Sequence, residues 1–350
     1  MKKVISSVYI LILMISFTAC NTYKKADTNL DTFNTDRAKN AEVVLSAGEL
    51  NSIDSIMGQM LKKYSDLVYE QSKGRIYIEI YASGQLGDER SQMQAVQMGA
   101  LDIFRANTVF VGDFGAKKLN LFALPYLFND REHLWKVLDS PIGKELMQDM
   151  IESDISMRGL CYLEEGSRHF FIANKKVEQP DDLKGLKLRV SETSILMDTV
   201  KALGASPTPL SFGELYTALQ TGVVDGAEQP ISGYNSNSFY EVAPNFVLDS
   251  HTYSPGMLVI SQRSWEKLTK EDQRILMECG KRLEKYNKEF TEAEEERLLE
   301  KLKKENVDIF QPKDLSKWQK KVEPIYEKYG KDNQKLIEEI KKMGEDTNAR

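Results

Sequence analysis

The chain has 350 residues, 41% of them hydrophobic and 29% charged. That is ample material for one large domain or two lobes, and it excludes disorder as the default state. The formal net charge is −6; the first 19 residues hold two lysines and no acid, so without them the balance is −8, a surface that excludes nucleic acids and other polyanions as natural partners.

At the N-terminus, Lys2 and Lys3 precede an apolar run from Val8 to Phe17, followed by Thr18, Ala19 and Cys20. That is the order of a signal peptide. The run is short for a bilayer, which takes roughly 20 apolar residues, and no later segment comes close. Phe17-Thr18-Ala19-Cys20 resembles a lipobox with Phe where Leu is commoner. The resemblance implies cleavage before Cys20 and a diacylglycerol on its sulfur. An ordinary secretory signal with a chance cysteine is the alternative. The polar stretch 21–40 favours lipidation, because an anchored domain needs a flexible tether.

The first ordered element is predicted as a strand around Val43–Leu45, with a turn at Gly48-Glu49-Leu50-Asn51. Apolar residues from Ile53 to Val68, spaced by three and four, predict a helix that stops at Gly74. Arg75–Tyr81 alternates as a strand. Gly84–Asp88 turns into a helix through Met93 and Val96, and Leu101–Phe104 is the next strand. This β-α-β-α-β alternation predicts a mainly parallel sheet with helices on both faces. Ligands then gather outside the carboxyl ends of the strands, which makes Arg105-Ala106-Asn107 a candidate loop.

After Leu124-Pro125-Tyr126 come two short helices and a strand near Gly159–Leu163. A second α/β unit begins at His169–Ala173. It continues through strand Leu186–Val190, a helix closed by Gly204, a strand near Thr208, a helix Phe212–Thr221 and a strand Val223–Ala227. Thr252–Ser261 is predicted as strand, and a charged helix runs from about Ser264 to Lys304. Its seam of Leu276, Cys279, Leu283, Tyr286 and Phe290 suits packing along its own protein better than so short a dimer seam.

No GxSxG, P-loop, GxGxxG or HExxH occurs. Glu164 and Glu165 imitate a catalytic pair, but the default for carboxylates is a solvated surface. Cys161 and Cys279, far apart, are expected as buried free thiols, and His133, His169 and His251 are too scattered for a metal site. No cofactor is expected. What stands out is a pair of arginines within apolar strands, Arg168 in Gly166-Ser167-Arg168-His169-Phe170-Phe171 and Arg189 in Leu186-Lys187-Leu188-Arg189-Val190. An isolated strand arginine belongs by default in solvent.

Context overturns that default. Pro180–Val190, Leu203–Leu210 and Ala218–Pro230, with Gly84-Gln85-Leu86-Gly87-Asp88-Glu89-Arg90, Leu124-Pro125-Tyr126-Leu127-Phe128 and Tyr240-Glu241-Val242, occur in one order. The chain thereby resembles the solute-binding proteins of tripartite ATP-independent periplasmic (TRAP) transporters, dicarboxylate type (DctP), over roughly residues 41 to 335.

The resemblance implies a two-lobed α/β fold of the periplasmic-binding-protein kind, lobe I from 41–163 and 252–305, lobe II from 164–251 and 306–350. It implies a receptor, not an enzyme, that closes on an organic acid and hands it to small and large permease subunits. Arg189 matches the arginine that grips the ligand carboxylate, and a guanidinium suits that task because its planar fork meets two oxygens. Arg168 matches a supporting arginine, Phe212 the aromatic floor, and Gln229 a polar contact where relatives often carry Asn. Glu49, Glu89 and Asn107 match first-lobe positions at the far end of the ligand; each is also an ordinary turn or helix-start residue. His251 is read as a strand residue near the hinge. Carboxylates and amides at the far end suit hydroxyl groups, whereas a dicarboxylate wants a second cation. A sugar acid such as a hexuronate is therefore expected over a C4-dicarboxylate, a preference that Arg105 would reverse if it lay in the pocket.

Overall fold

A computed structural model describes residues 35–345. Cys20 and its lipobox lie outside the described residues, as does the tether up to residue 34. The last six residues of the expected tether are not extended: Thr35–Asn40 is a helix. Arg37 holds it against the domain, with its guanidinium 2.5 Å from Asp66 and 4.6 Å above the Tyr69 ring.

Eleven strands occur among the described residues. The first four are β1 (Val43–Gly48), β2 (Ile76–Tyr81), β3 (Ile103–Asn107) and β4 (Met157–Leu163). Then come β5 (Arg168–Ile172), β6 (Lys187–Val190), β7 (Ser206–Pro209), β8 (Gly226–Pro230) and β9 (Asn245–Thr252). The last two are β10 (Gly256–Ser261) and β11 (Asp308–Phe310). They form two mixed sheets, in the orders β2-β1-β3-β10-β4 and β11-β9-β5-β8-β6-β7. Each sheet belongs to one lobe. The chain passes between lobes at residues 164–167, from β4 to β5, and again at 253–255, from β9 to β10.

In the first lobe, the helix Ile56–Gln71 is capped by Ser55, whose hydroxyl accepts from the Gly58 amide, and buries Met60, Leu61, Tyr64 and Val68 against β1 and β2. Ile53 lies outside that helix, two residues before the cap. Asp88 caps the helix Glu89–Met98, and Gly99 ends it in the left-handed conformation, φ 75°. The stretch read from sequence as one strand, Thr252–Ser261, is the end of β9 plus β10 with a crossing between them.

The charged helix is two elements, Gln262–Lys267 and a 35-residue helix Lys270–Lys304 capped by Thr269. Of its expected seam, Leu276, Cys279 and Leu283 face the protein and Phe290 is half-buried, but Tyr286 is exposed and stacks on Phe290. Leu276, Cys279 and Leu283 pack under the first sheet, while Leu298 and Leu302 pack in the second lobe. Midway, Asn287 clamps the crossing segment: its Oδ1 accepts from the Glu164 amide at 2.6 Å and its Nδ2 donates to the Glu164 carbonyl at 3.1 Å. At Gly280 the helix touches strand backbone, and a β-carbon there would stand 2.8 Å from the Leu160 carbonyl oxygen. Gly280→Ala is accordingly expected to destabilise the protein by about 1–2 kcal/mol in urea unfolding, overpacking outweighing alanine's better helix propensity; a stabilised variant would show that the contact gives way.

The C-terminal helix Gln334–Glu345, grouped by sequence with the second lobe, docks on the first-lobe helix Arg131–Leu138. His133 Nε2 bonds the Ile340 carbonyl at 2.7 Å, and Lys136 Nζ donates to the Met343 carbonyl at 2.8 Å. Cys161 and Cys279 are free and buried. No helix of the described residues is long and apolar enough to cross a membrane.

Candidate functional site

The two sheets meet end to end, and their geometry gathers polar side chains at one place. Glu49 follows β1, Asn107 ends β3, and Arg189 and Gln229 lie near the ends of β6 and β8. The start of β5 joins them because it is antiparallel to β8, with Arg168 opposite Pro230 and His169 opposite Gln229. Asn107, Arg168 and Gln229 of this group line a cleft of about 560 Å³, together with Glu89, Arg105, Glu165 and Phe212, among others. A contiguous recess of about 290 Å³ adds Arg189, Glu192 and Ser211.

Three arginines meet here, all buried against the default for charged strand residues: Arg105 is 4% exposed, Arg168 5% and Arg189 2%. Two of them are neutralised from within. Arg105 donates through Nε and Nη2 to both oxygens of Glu49, each at 2.7 Å, and through Nη1 to Glu165 at 2.6 Å. Arg168 forks onto Glu228, with Nη2 at 2.8 Å from Oε1 and Nε bonded to Oε2. Glu228 faces Phe170 across the β5–β8 ladder, so Arg168 reaches it along the diagonal.

Arg189 differs. Its Nε donates to the Leu210 carbonyl at 3.0 Å, and its guanidinium stands 5.8 Å over the Phe212 ring. Among the described residues no carboxylate pairs with it, and its buried Nη1 has no hydrogen-bond partner. Burial draws its pKa down to about 10 against the raising effect of Glu228. A buried guanidinium short of an acceptor is what an anionic ligand satisfies.

Behind Arg168 stands a buried relay. His251 stacks on Phe170 with ring centroids 4.3 Å apart, its Nδ1 2.9 Å from Asp249 and its Nε2 3.6 Å from Glu228. Burial alone would lower its pKa, but the Asp249 and Glu228 carboxylates raise it to about 9. Glu228, which burial would raise, is held down to about 2 by Arg168 and His251. A histidine raised in the folded state stabilises fully below its unfolded pKa, near 6.5, and loses that contribution as pH climbs through about 9. Wild type is therefore expected to lose more melting temperature than His251→Gln between pH 6.5 and 9; parallel curves would show a neutral His251.

The sequence-derived residues divide by position. Arg168, Phe212, Asn107, Glu89 and Gln229 share the cleft lining, with Arg189 in the adjoining recess. Glu49 is not on the lining; it is fully buried beneath Arg105, and its Oε1 also accepts from the Asn51 amide and Nδ2, each at 2.8 Å. Asn107 caps the helix Thr108–Asp113 through Oδ1 while lining the cleft. Burial raises the Glu89 pKa to about 7, with Glu165 adding to the rise and Arg105 and Arg189 opposing it.

Glu164 and Glu165, read as solvated, are both buried. Glu164 accepts from Arg131 Nε and Trp135 Nε1, each at 2.6 Å, and the pair points to two different clusters, not to one substrate. Arg105 does lie in the cleft, but already neutralised. Glu228 escaped the sequence because only strand pairing brings it to Arg168, and Glu165, named there only as half of an apparent catalytic pair, meets Arg105 from 60 residues away. Across the mouth, Arg90 meets Glu192 at 3.3 Å, both about half exposed, a contact worth at most about 1 kcal/mol.

Known proteins share this architecture. The family model for bacterial extracellular solute-binding protein, family 7 (DctP) matches residues 47–332. A sialic acid-binding periplasmic protein from Vibrio cholerae is 31% identical over 290 residues, 83% of this chain and 89% of that one. A TRAP periplasmic solute-binding protein from Xanthobacter autotrophicus, solved with β-D-galacturonate, superposes with a TM-score of 0.81 at 30% identity, covering 85% of this chain and 99% of its own. Another, from a Polaromonas species with D-erythronate, gives 0.82 at 31% identity, covering 85% and 98%. The matched span, the two-lobed fold and the arginine-lined cleft place this chain in the DctP family of extracytoplasmic solute-binding receptors of TRAP transporters.

Proposed function

We propose that the protein captures a sugar acid, a hexuronate or a close hydroxylated relative, and delivers it to the small and large TRAP permease subunits. The observation that carries this reading is the charge state of the cleft. Among the described residues Arg189 is the one of its three arginines without a carboxylate partner, and the cleft lining also offers Glu89, Glu165, Asn107 and Gln229. One free cation suits one carboxylate, and acceptor-rich walls suit hydroxyl groups. Relatives and neighbours named for sialic acid, galacturonate and erythronate support it, since all three are hydroxylated acids. A C4-dicarboxylate fits less well, because Arg105 is not free to hold a second carboxylate.

A thermal-shift panel of hexuronates, aldonates and C4-dicarboxylates tests it. A ligand present at 100 times its Kd adds about 2.7 kcal/mol, so a matching sugar acid raises the melting temperature visibly. Stabilisation by succinate or malate alone would replace the sugar-acid reading with the dicarboxylate one.

We also propose that Cys20 carries a lipid anchor. A receptor tethered through residues 21–34 stays near its permease at raised effective concentration while free to reorient. Incorporation of labelled palmitate that disappears in Cys20→Ala is the expected result; release of unlabelled wild type as a free protein would mean a plain secretory signal.

A further inference from the structure

Around Arg105 the cleft holds more negative than positive charge. One guanidinium faces two buried carboxylates: Glu49 occupies its Nε and Nη2, and Glu165 its Nη1. Glu89 lies close enough to interact electrostatically with both Arg105 and Glu165. Glu49 is sealed beneath, but Glu165 and Glu89 line the cleft itself. Glu165 engages Arg105 through Oε1 only, and among the described residues its Oε2 accepts no hydrogen bond. The backbone makes room for this carboxylate. A β-carbon on Gly256 would come 2.6 Å from Glu165 Oε1, so any larger residue there would push this carboxylate from its place against β10.

Arg168 is forked onto Glu228 and reaches Glu165 only through space, not by a hydrogen bond. In the adjoining recess Arg189 is a cation whose Nη1 has no hydrogen-bond partner among the described residues. The site thus holds an open cation in one recess and, beside Arg105, a carboxylate oxygen that accepts no hydrogen bond. A hydroxyl group placed beside Glu165 donates a hydrogen bond to it; a second carboxylate placed there meets like charge, desolvated, which costs several kcal/mol.

We infer that Glu165, with Glu89 beside it, is a specificity-determining carboxylate that reserves the Arg105 end of the cleft for hydroxyl groups and rejects acids carrying a second carboxylate. The inference rests on the sugar-acid reading and deepens it: the favoured class is the polyhydroxy monocarboxylate, and the aldaric acids, equally hydroxylated but doubly charged, are excluded by charge and not by size. Glu49 holds Arg105 in place, so that Arg105 orients Glu165 and does not serve as a second anchor.

The test compares galactonate with galactarate, open-chain acids that differ only at carbon six, where one has a hydroxymethyl group and the other a carboxylate. Galacturonate serves as the reference sugar acid. Calorimetry on wild type is expected to give galactarate at least about tenfold weaker binding than galactonate, since like-charge juxtaposition costs more than the 1.4 kcal/mol equivalent to that factor. Glu165→Gln, which keeps shape and removes charge, is expected to bring the two within about threefold of each other. Glu165→Asp, which keeps the charge, should retain most of the discrimination. Glu89→Gln, at the more open helix start, should relax it by a smaller factor and decides the matter if Glu165→Gln does not fold. Equal binding of both acids by wild type overturns the inference and leaves the sugar-acid reading standing, as does a ratio unchanged in the glutamine variants. Failure of wild type to bind any of the three acids removes that reading and this inference together.

Discussion

Arg189→Lys is expected to weaken sugar-acid binding about 100-fold, roughly 3 kcal/mol, while the ligand-free protein keeps its fold and nearly its melting temperature. The asymmetry follows from what Arg189 does in the protein. Among the described residues its one side-chain hydrogen bond is Nε to the Leu210 carbonyl, and its buried Nη1 has no partner. Little native stability depends on the fork, so little is lost with it. A ligand carboxylate, in contrast, meets two parallel N–H groups that an ammonium cannot reproduce. Burial lowers the pKa even of this guanidinium to about 10, and a lysine in its place would lose charge more readily. Calorimetry and thermal melting on the same preparation separate the two effects. Affinity within about threefold of wild type would remove Arg189 from the role of anchor.

Arg105→Met is expected to do the reverse, lowering stability by about 3–5 kcal/mol before binding is even considered. Methionine fills much of the volume but strands Glu49, which is fully buried, and Glu165 beside it. An uncompensated buried carboxylate either stays charged at a heavy desolvation cost or takes up a proton. Urea unfolding at neutral pH measures the loss, and the defect should shrink as pH falls and the stranded carboxylates protonate. Adding Glu49→Gln and Glu165→Gln to Arg105→Met should recover part of it. A triple variant no better than the single one would show that packing, not stranded charge, is at stake.

These two substitutions mark the border of what the sequence makes legible. Arg189 was recognisable because it sits in an ordered run of spaced motifs, Pro180–Val190 among them, and a guanidinium at that place has a known use. Arg168, Phe212, Gln229, Asn107 and Glu89 come from the same matching, and the structure places all five on the cleft lining. Glu49 is the instructive case. Its position in the turn after β1 was correctly placed near the site, but whether a side chain at that turn faces ligand or faces Arg105 is a question of a few ångströms that no local pattern encodes. Glu164 and Glu165 show the limit from the other side. As neighbours in a polar loop they carry the signature of solvated acids, yet the loop is a crossing between lobes, and adjacent side chains there point into separate clusters.

By itself the sequence determined the alternation of strands and helices, the helix start at Asp88, the family, and the arginine proposed to anchor a carboxylate. Each of these is written within a span of a few to a few tens of residues, through hydrophobic period, turn chemistry or motif order. Only the tertiary structure decided which charges in the cleft are free. Glu49 and Arg105 are 56 residues apart, Arg105 and Glu165 60, and Arg168 and Glu228 60. The same distance effect set the helix at Thr35–Asn40 onto Asp66 and the C-terminal helix onto residues of the first lobe. Charge pairing depends on the separation of atoms in space, which falls off too steeply for any order along the chain to stand in for it. The identity of the residues was therefore readable at once, and their net charge as a site was not.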